Sequence, residues 1–166
     1  VTAPIRGRVV RLGDDVDTDV ILPGAYLNLS DPAELAPHLL EGYDPPTLGP
    51  SIQPGDVLVA GRNFGTGSSR EHAQLALLGR GVAAIVAVSF ARIFLRNCIN
   101  LGLPAIEQPE AASALRDGDE LEIDIAAGEV SSTRGSWTLP APSPVVAEII
   151  AAGGLVPWAR ERYQSR

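Results

Sequence analysis

Lysine is absent from the 166 residues, and all 13 basic side chains are arginine. That excludes chemistry built on a primary amine, from Schiff-base catalysis to the lysine of a Walker phosphate loop. Cysteine occurs once, as Cys98. One thiol cannot make an internal disulfide framework, fits a reducing compartment, and cannot by itself supply the three cysteine ligands of an iron–sulfur cluster. Histidine occurs twice, as His38 and His72, so partners for a serine triad are scarce. No apolar run approaches the length of about 18 residues that a membrane span needs. The opening "VTAPIRGRVV" has no apolar core of a signal peptide, and the cytoplasm is the expected compartment. Positive charge is also short: the formal net charge of −7 argues against nucleic acid as a partner, while a small anion needs only one or two local cations.

What is present reads as one α/β domain spanning residues 1–166, with 45% apolar and 20% charged residues, proportions that suit a single buried core. A strand is expected around Arg8 to Leu12, then an acidic turn, then a second short extended segment at Val20 to Leu22. "DPAELAPHLL" has Asp31 as N-cap and Pro32 at the first helical position. The proline-rich stretch from Tyr43 to Asp56 reads as a surface loop, long enough for a lid or a partner contact. "DVLVAG" and the apolar run Val82 to Val88 have the character of strands buried on both faces of a parallel sheet. Between them lies a Gly-rich turn and a helix, and after them a second helix capped by Ser89 and stopped by Gly102. This is a βαβα unit with a right-handed crossover. Leu121, Ile123 and Ile125 alternate with Glu122 and Asp124, predicting a half-exposed strand with "SWTLP" as its hairpin partner. A last helix is expected from Ser143 or Pro144 to Gly153.

The chemistry concentrates in "GRNFGTGSSREHAQLALLGRG", residues 61–81. A turn between a strand and a helix converges backbone N–H groups and the positive end of the helix dipole on one spot, which favours an anion. A purely structural reading is that Ser68 and Glu71 form a capping box. The alternative is that Ser68, Ser69 and Arg70, in the first helical turn, form a di- or tricarboxylate site. The guanidinium would grip one carboxylate in a fork beside free donors. Donors and positive charge around such a serine also favour its alkoxide, so it can act on protons.

"DTDVILPGAYL", "GRNFGTGSSREHA", "SFARIFLRNCINLGLP" and "DGDELEIDIAAGEV", in this order, resemble the small subunits of 3-isopropylmalate dehydratases and their homoaconitase relatives, with the archaeal-type small subunits the nearer match in length. The resemblance covers nearly the whole chain. It implies the swivelling domain of the aconitase superfamily, a β/β/α three-layer arrangement with a central, mostly parallel sheet and a smaller antiparallel sheet. It also implies a hydro-lyase: Ser68 as the base at the substrate carbon, Ser69, Arg70 and Gly67 at a substrate carboxylate, and Asp19 assisting the leaving hydroxyl. No cofactor is expected on this chain. A [4Fe-4S] cluster is expected on a large subunit, the implied partner, and a homo-oligomer in isolation is compatible with the sequence. Asp14 and Asp17 are expected as turn or cap formers, Cys98 as a buried thiol, Asn97 and Asn100 as loop supports, and Arg96 at the site rim.

The loop Tyr26-Leu27-Asn28-Leu29 bears on the substrate. Relatives acting on homoaconitate resemble Tyr-Leu-Arg here, the arginine holding a distal carboxylate, whereas this chain has Asn28. Leu27 and Leu29 would instead suit an alkyl group such as isopropyl, with discrimination of about 1–3 kcal/mol per apolar contact. The expected substrate is therefore an isopropylmalate, in the reversible dehydration of leucine biosynthesis. Homoaconitate or a methylmalate-type diacid stays open, as does a non-catalytic anion-binding regulatory module.

Overall fold

A computed structural model of the chain describes residues 3–68 and 70–165. Seven strands form one sheet in the order β4-β3-β2-β1-β5-β6-β7. The parallel half contains β1 (Ile5–Arg11), β2 (Val57–Ala60), β3 (Ala84–Ala87) and β4 (Ala105–Glu107). The antiparallel half adds β5 (Glu120–Asp124), β6 (Glu129–Ser132) and β7 (Gly135–Thr138). β1 belongs to both, parallel to β2 through Val9↔Val57 and antiparallel to β5 through Gly7↔Leu121.

The parallel strands are apolar because both of their faces are covered. Leu58, Ala60, Ile85 and Ala87 enter one core, while Val57, Val59, Ala84 and Val86 enter another. Successive side chains on a strand point to opposite faces, so the two sets alternate along the sequence. The first core is closed by helices α2 (Pro32–Leu35), α4 (His72–Gly79) and α5 (Arg92–Asn100), through Leu35, Ala73, Ala76, Leu77, Phe94 and Cys98. The second is closed by α6 (Pro109–Ala114) and by Leu121, Ile123 and Val130. The antiparallel half therefore curls so that its apolar face shares a core with the far side of the parallel strands. This is the β/β/α layering expected above.

The βαβα unit is present as β2-α4-β3-α5, and Asp31 caps α2 by accepting from the Ala33 N–H at 2.9 Å. Four local expectations are corrected. Val20 to Leu22 is not extended: Thr18–Ile21 forms the short helix α1, because Asp17 Oδ1 caps it by accepting from the Val20 N–H at 2.8 Å. Ser89 does not cap α5, whose N-cap is Ala91; its Oγ instead accepts from the Asn63 N–H at 2.9 Å, which ties two loops together. "SWTLP" contributes β7, which pairs with β6 and not with β5, giving a three-stranded meander. Past α7 (Pro144–Ala152), capped by Ser143 and ended by Gly153, the chain forms a further helix, α8 (Leu155–Gln164).

The proline-rich segment is held to the body. It contains the one-turn helix α3 (Leu48–Ser51), buries Ile52, and receives Arg80, whose Nε donates to the Ile52 carbonyl at 3.1 Å and Nη2 to the Pro50 carbonyl at 2.6 Å. Asp56, itself buried, pairs with Arg8 at 2.7 Å and closes the segment by accepting from the Gln53 N–H.

Candidate active site

Parallel strands that end side by side release their loops on one edge of the sheet, where ligands of open α/β sheets bind. Here the loops after β1, β2 and β3 continue to pair beyond the strands. Asp15 N–H donates to the Arg62 carbonyl at 2.8 Å, Gly65 N–H to Val16 at 2.8 Å, and Phe64 N–H to Ser89 at 3.0 Å. Below them Phe64, Phe90 and Phe94 pack ring on ring, with Phe64 edge-on to both others. This aromatic floor explains Gly65. Its φ is +83° and its Cα lies against the Phe94 ring, where no side chain would fit.

Residues 65–68 are not helical. α4 begins at His72 with Glu71 as its N-cap and no side-chain cap, so the capping box of Ser68 and Glu71 does not form, and Ser68 and Arg70 precede the helix instead of occupying its first turn. The reason is Gly67, whose φ of +105° places it outside the helical region. A Cβ there would sit 2.9 Å from Thr18 Oγ1. The turn is thus shaped by its contact with α1. Thr18 N–H donates to the Thr66 carbonyl at 2.8 Å, and Ser68 N–H donates to Thr18 Oγ1 at 3.1 Å. Ser69, expected at a substrate carboxylate, lies outside the described residues.

This stitching brings together residues far apart in sequence. Thr18, Asp19, Leu22, Leu27, Ser68, Arg70, His72 and Ala73 line one small cavity of about 10 Å³, room for about a single water. Asp19, Ser68 and Arg70 are exposed at its rim. Neither Asp19 nor Arg70 has an ion-pair partner among the described residues. A carboxylate, a hydroxyl and a guanidinium are therefore presented outward together, which suits proton transfer beside a bound carboxylate.

Sequence reading alone missed four lining residues, Thr18, Leu22, His72 and Ala73. Thr18 was visible only as the neighbour of Asp19, and Leu22 only as part of an apolar run. His72, counted in the sequence only as one of two histidines, reaches the cavity, and its Nδ1 is buried without a hydrogen-bond partner among the described residues. Conversely, of the loop 26–29 only Leu27 lines the cavity. Tyr26 turns aside, its hydroxyl donating to Glu41 Oε2 at 2.7 Å and its ring stacked on His38 at 3.6 Å. Leu29 packs on the first core, and Asn28 is exposed. Asp14 and Asp17 are structural, as expected: Asp14 Oδ1 accepts from the Arg62 N–H at 2.7 Å, which holds its carboxyl below the usual aspartate range. Gly67 lies against Thr18 behind the lining.

Cys98 is fully buried, and burial pushes its thiol up to about 12 against a weaker opposing hydrogen bond with Gln74. A thiol so held is a poor thiolate ligand. No group of three histidine, cysteine or acidic side chains among the described residues could hold a metal ion.

The Aconitase C-terminal domain family matches residues 51–111, the stretch from the end of α3 to the first half of α6 that contains the Ser68 turn. Over 163 residues the chain is 52% identical to the 3-isopropylmalate dehydratase small subunit of Moorella thermoacetica, covering 97% of this chain and 98% of that protein. The archaeal small subunit of the same name from Methanosarcina mazei is 46% identical, covering 98% and 100%. The crystal structure of 3-isopropylmalate dehydratase (LeuD) from Methanocaldococcus jannaschii superposes with a TM-score of 0.90 at 44% identity, covering 98% of this chain and 96% of that one. A UPF0107 protein solved by NMR, 18% identical with a TM-score of 0.53 over 78% of this chain, shares the fold alone. With half of its residues matched over nearly its full length, and with the same fold, the chain belongs to the family of 3-isopropylmalate dehydratase small subunits.

Proposed function

We propose that this chain, as a single swivel domain, is the small subunit of a 3-isopropylmalate dehydratase, a hydro-lyase that interconverts 2- and 3-isopropylmalate through the alkene diacid in leucine biosynthesis. The observation that carries the reading is the cavity at the ends of β1 and β2. Asp19, Ser68 and Arg70 meet there at the rim of a space of about 10 Å³, far below the pocket volumes of roughly 300 Å³ and more that enclose organic ligands. Half a site of this kind needs a second surface to close it, and a large subunit is that surface.

Ser68 Oγ takes the proton from the substrate carbon next to the one that loses hydroxyl, and returns a proton to the alkene in the reverse direction. Its alkoxide is favoured by the guanidinium of Arg70 and by the backbone N–H groups of the turn. Arg70 holds a substrate carboxylate through two parallel N–H donors, fixing the carbon that Ser68 must reach. Asp19, which lines the same cavity as Ser68, exchanges the proton that accompanies the hydroxyl. Ser69 belongs to the carboxylate grip on resemblance. A [4Fe-4S] cluster on the large subunit would supply Lewis acidity for the hydroxyl, and no residue of this chain is assigned to holding it. Leu27, Leu22 and Ala73 make the apolar part of the lining. Among the described residues Arg70 is the one arginine in it, already assigned to a carboxylate, so the lining favours an alkyl substituent over the extra carboxylate of homoaconitate.

The test is hydration of isopropylmaleate and of homoaconitate by the anaerobically reconstituted complex of this chain with its large subunit. Turnover of isopropylmaleate that Ser68→Ala lowers by about 10²–10⁴, the usual contribution of a general base, supports the reading. Preference for homoaconitate would sink the substrate assignment. Turnover of neither diacid by an intact complex would point to an anion-binding module.

A further inference from the structure

The loop 24–29 carries Leu27 to the cavity but has little core of its own. Gly24–Tyr26 is a single 3₁₀ turn with no buried residue, and Asn28 is exposed. Three backbone bonds shape it: Tyr26 N–H to Pro23, Leu27 N–H to Gly24 and Leu29 N–H to Tyr26, at 3.1, 3.3 and 3.0 Å. A turn this short needs an outside anchor to hold one conformation.

Besides the packing of Tyr26 and Leu29 on the first core, the loop has a polar anchor, a three-residue clasp. Glu41 accepts from the Tyr26 hydroxyl at its Oε2 and contacts His38 Nδ1 at its Oε1, both at 2.7 Å. The Tyr26 and His38 rings stack at 3.6 Å with 13° between their planes. One carboxylate thus ties together two rings that already lie face to face. Its far end is fixed, because Leu39 and Leu40 next to His38 are buried and the Leu40 N–H donates to the Ile21 carbonyl at 2.7 Å. Ile21 closes α1, which also carries Thr18 and Asp19. The clasp therefore fastens the loop bearing Leu27 to the segment that carries the catalytic carboxylate.

We infer that Glu41, with His38, is a positioning residue of the substrate pocket: it holds Tyr26 so that Leu27 stays against the Ser68–Arg70 turn and defines the site for the alkyl substituent. The inference rests on the proposed hydro-lyase reading for its substrate. Its geometric part stands apart from that reading. Glu41 touches no reacting atom, so its loss acts on alkyl recognition and leaves proton transfer at Ser68 alone. In Glu41→Gln an amide can still accept from the Tyr26 hydroxyl and donate to a neutral His38 Nδ1, whereas Glu41→Ala loses both bonds.

Two measurements test it. In the isolated 166-residue chain, hydrogen exchange of the Leu27 and Leu29 amides should accelerate about tenfold or more in Glu41→Ala, as expected for a locally opened turn. It should return close to the parent rate in Glu41→Gln, while core amides of β2 and β3 stay unchanged. In the reconstituted complex, Glu41→Ala should raise KM for isopropylmaleate about tenfold, the low end for losing one apolar contact, with kcat within about twofold and with little change in KM for the unsubstituted maleate. Unchanged exchange in Glu41→Ala would overturn the clasp. Faster exchange with an unchanged KM, or a fall in kcat for both substrates alike, would overturn its role in recognition. If the parent complex does not turn over isopropylmaleate while exchange still responds, the substrate reading fails and the clasp is supported.

Discussion

Thr18 Oγ1 accepts a hydrogen bond from the Ser68 backbone N–H at 3.1 Å, while the Thr18 N–H donates to the Thr66 carbonyl at 2.8 Å. One buried threonine, 50 residues away in the chain, thereby sets the position of the proposed base. Thr18→Val keeps the shape and removes the acceptor. The expected loss is about 1 kcal/mol of turn ordering, the net worth of one such bond, and with it roughly fivefold in kcat. Thr18→Ser should restore the rate. Equal kcat values for the valine variant and the parent, measured on the reconstituted complex, would show that Thr18 only packs.

Gly67 is the glycine of the Ser68 turn whose backbone and surroundings both oppose a side chain. At φ +105° and with Thr18 Oγ1 2.9 Å from the place a Cβ would take, Gly67→Ala combines backbone strain of about 1–3 kcal/mol with a clash against the atom that orders Ser68. Thermal unfolding should shift down by several degrees, and activity should fall more than stability. A variant with the parent's melting temperature and rate would contradict the geometry.

Cys98 is expected to be inert in the native protein. With its thiol pushed up to about 12, only about one molecule in 10⁴ carries a thiolate at pH 8, and the sulfur is buried besides. Iodoacetamide should leave the folded chain unlabelled and modify it stoichiometrically in denaturant. Rapid labelling without denaturant would mean that α5 opens locally.

The acid limb of stability should depend on the antiparallel half. Arg134 grips Asp119 with both carboxylate oxygens engaged, Nη2 to Oδ1 at 2.9 Å, and the Arg116 N–H donates to Oδ2 at 2.8 Å. Together these hold the Asp119 carboxyl below its ordinary value near 3.8, with Arg134 the larger cause. A carboxylate depressed in the folded state stabilises fully above the unfolded value, and that stability is lost as the pH falls through the lower folded value. Asp14 is shifted in the same direction by the Arg62 N–H. Stability should therefore be level from neutrality down to about pH 4 and fall below it. Asp119→Asn should lower the neutral plateau and flatten the acid limb. An unchanged limb in urea titrations between pH 2 and 5 would remove Asp119 from the account.

Local and periodic signals carried the sequence reading. The runs "VLVA" and "AIVA" specify strands covered on both faces, since only a parallel sheet between two cores makes such composition stable. The Asp31-Pro32 and Ser143-Pro144 starts are local caps, and their hydrogen bonds span three residues or fewer. The Gly-rich turn with Ser68 and Arg70 stood out because its residue types suit an anion, and it took the structure to remove the competing capping box with Glu71. Tertiary contacts decided the rest. Whether Val20 to Leu22 is strand or helix depends on Asp17 and on the Thr66 carbonyl, which reaches Thr18 only after β1 and β2 have paired. Whether Ser89 caps a helix depends on Asn63 arriving from another loop. That Leu27 and not Tyr26 faces Ser68 depends on Glu41, 15 residues further on. In each case the deciding partner is a hydrogen-bonding group brought near by the sheet, and such pairings leave no periodicity in the chain that makes them.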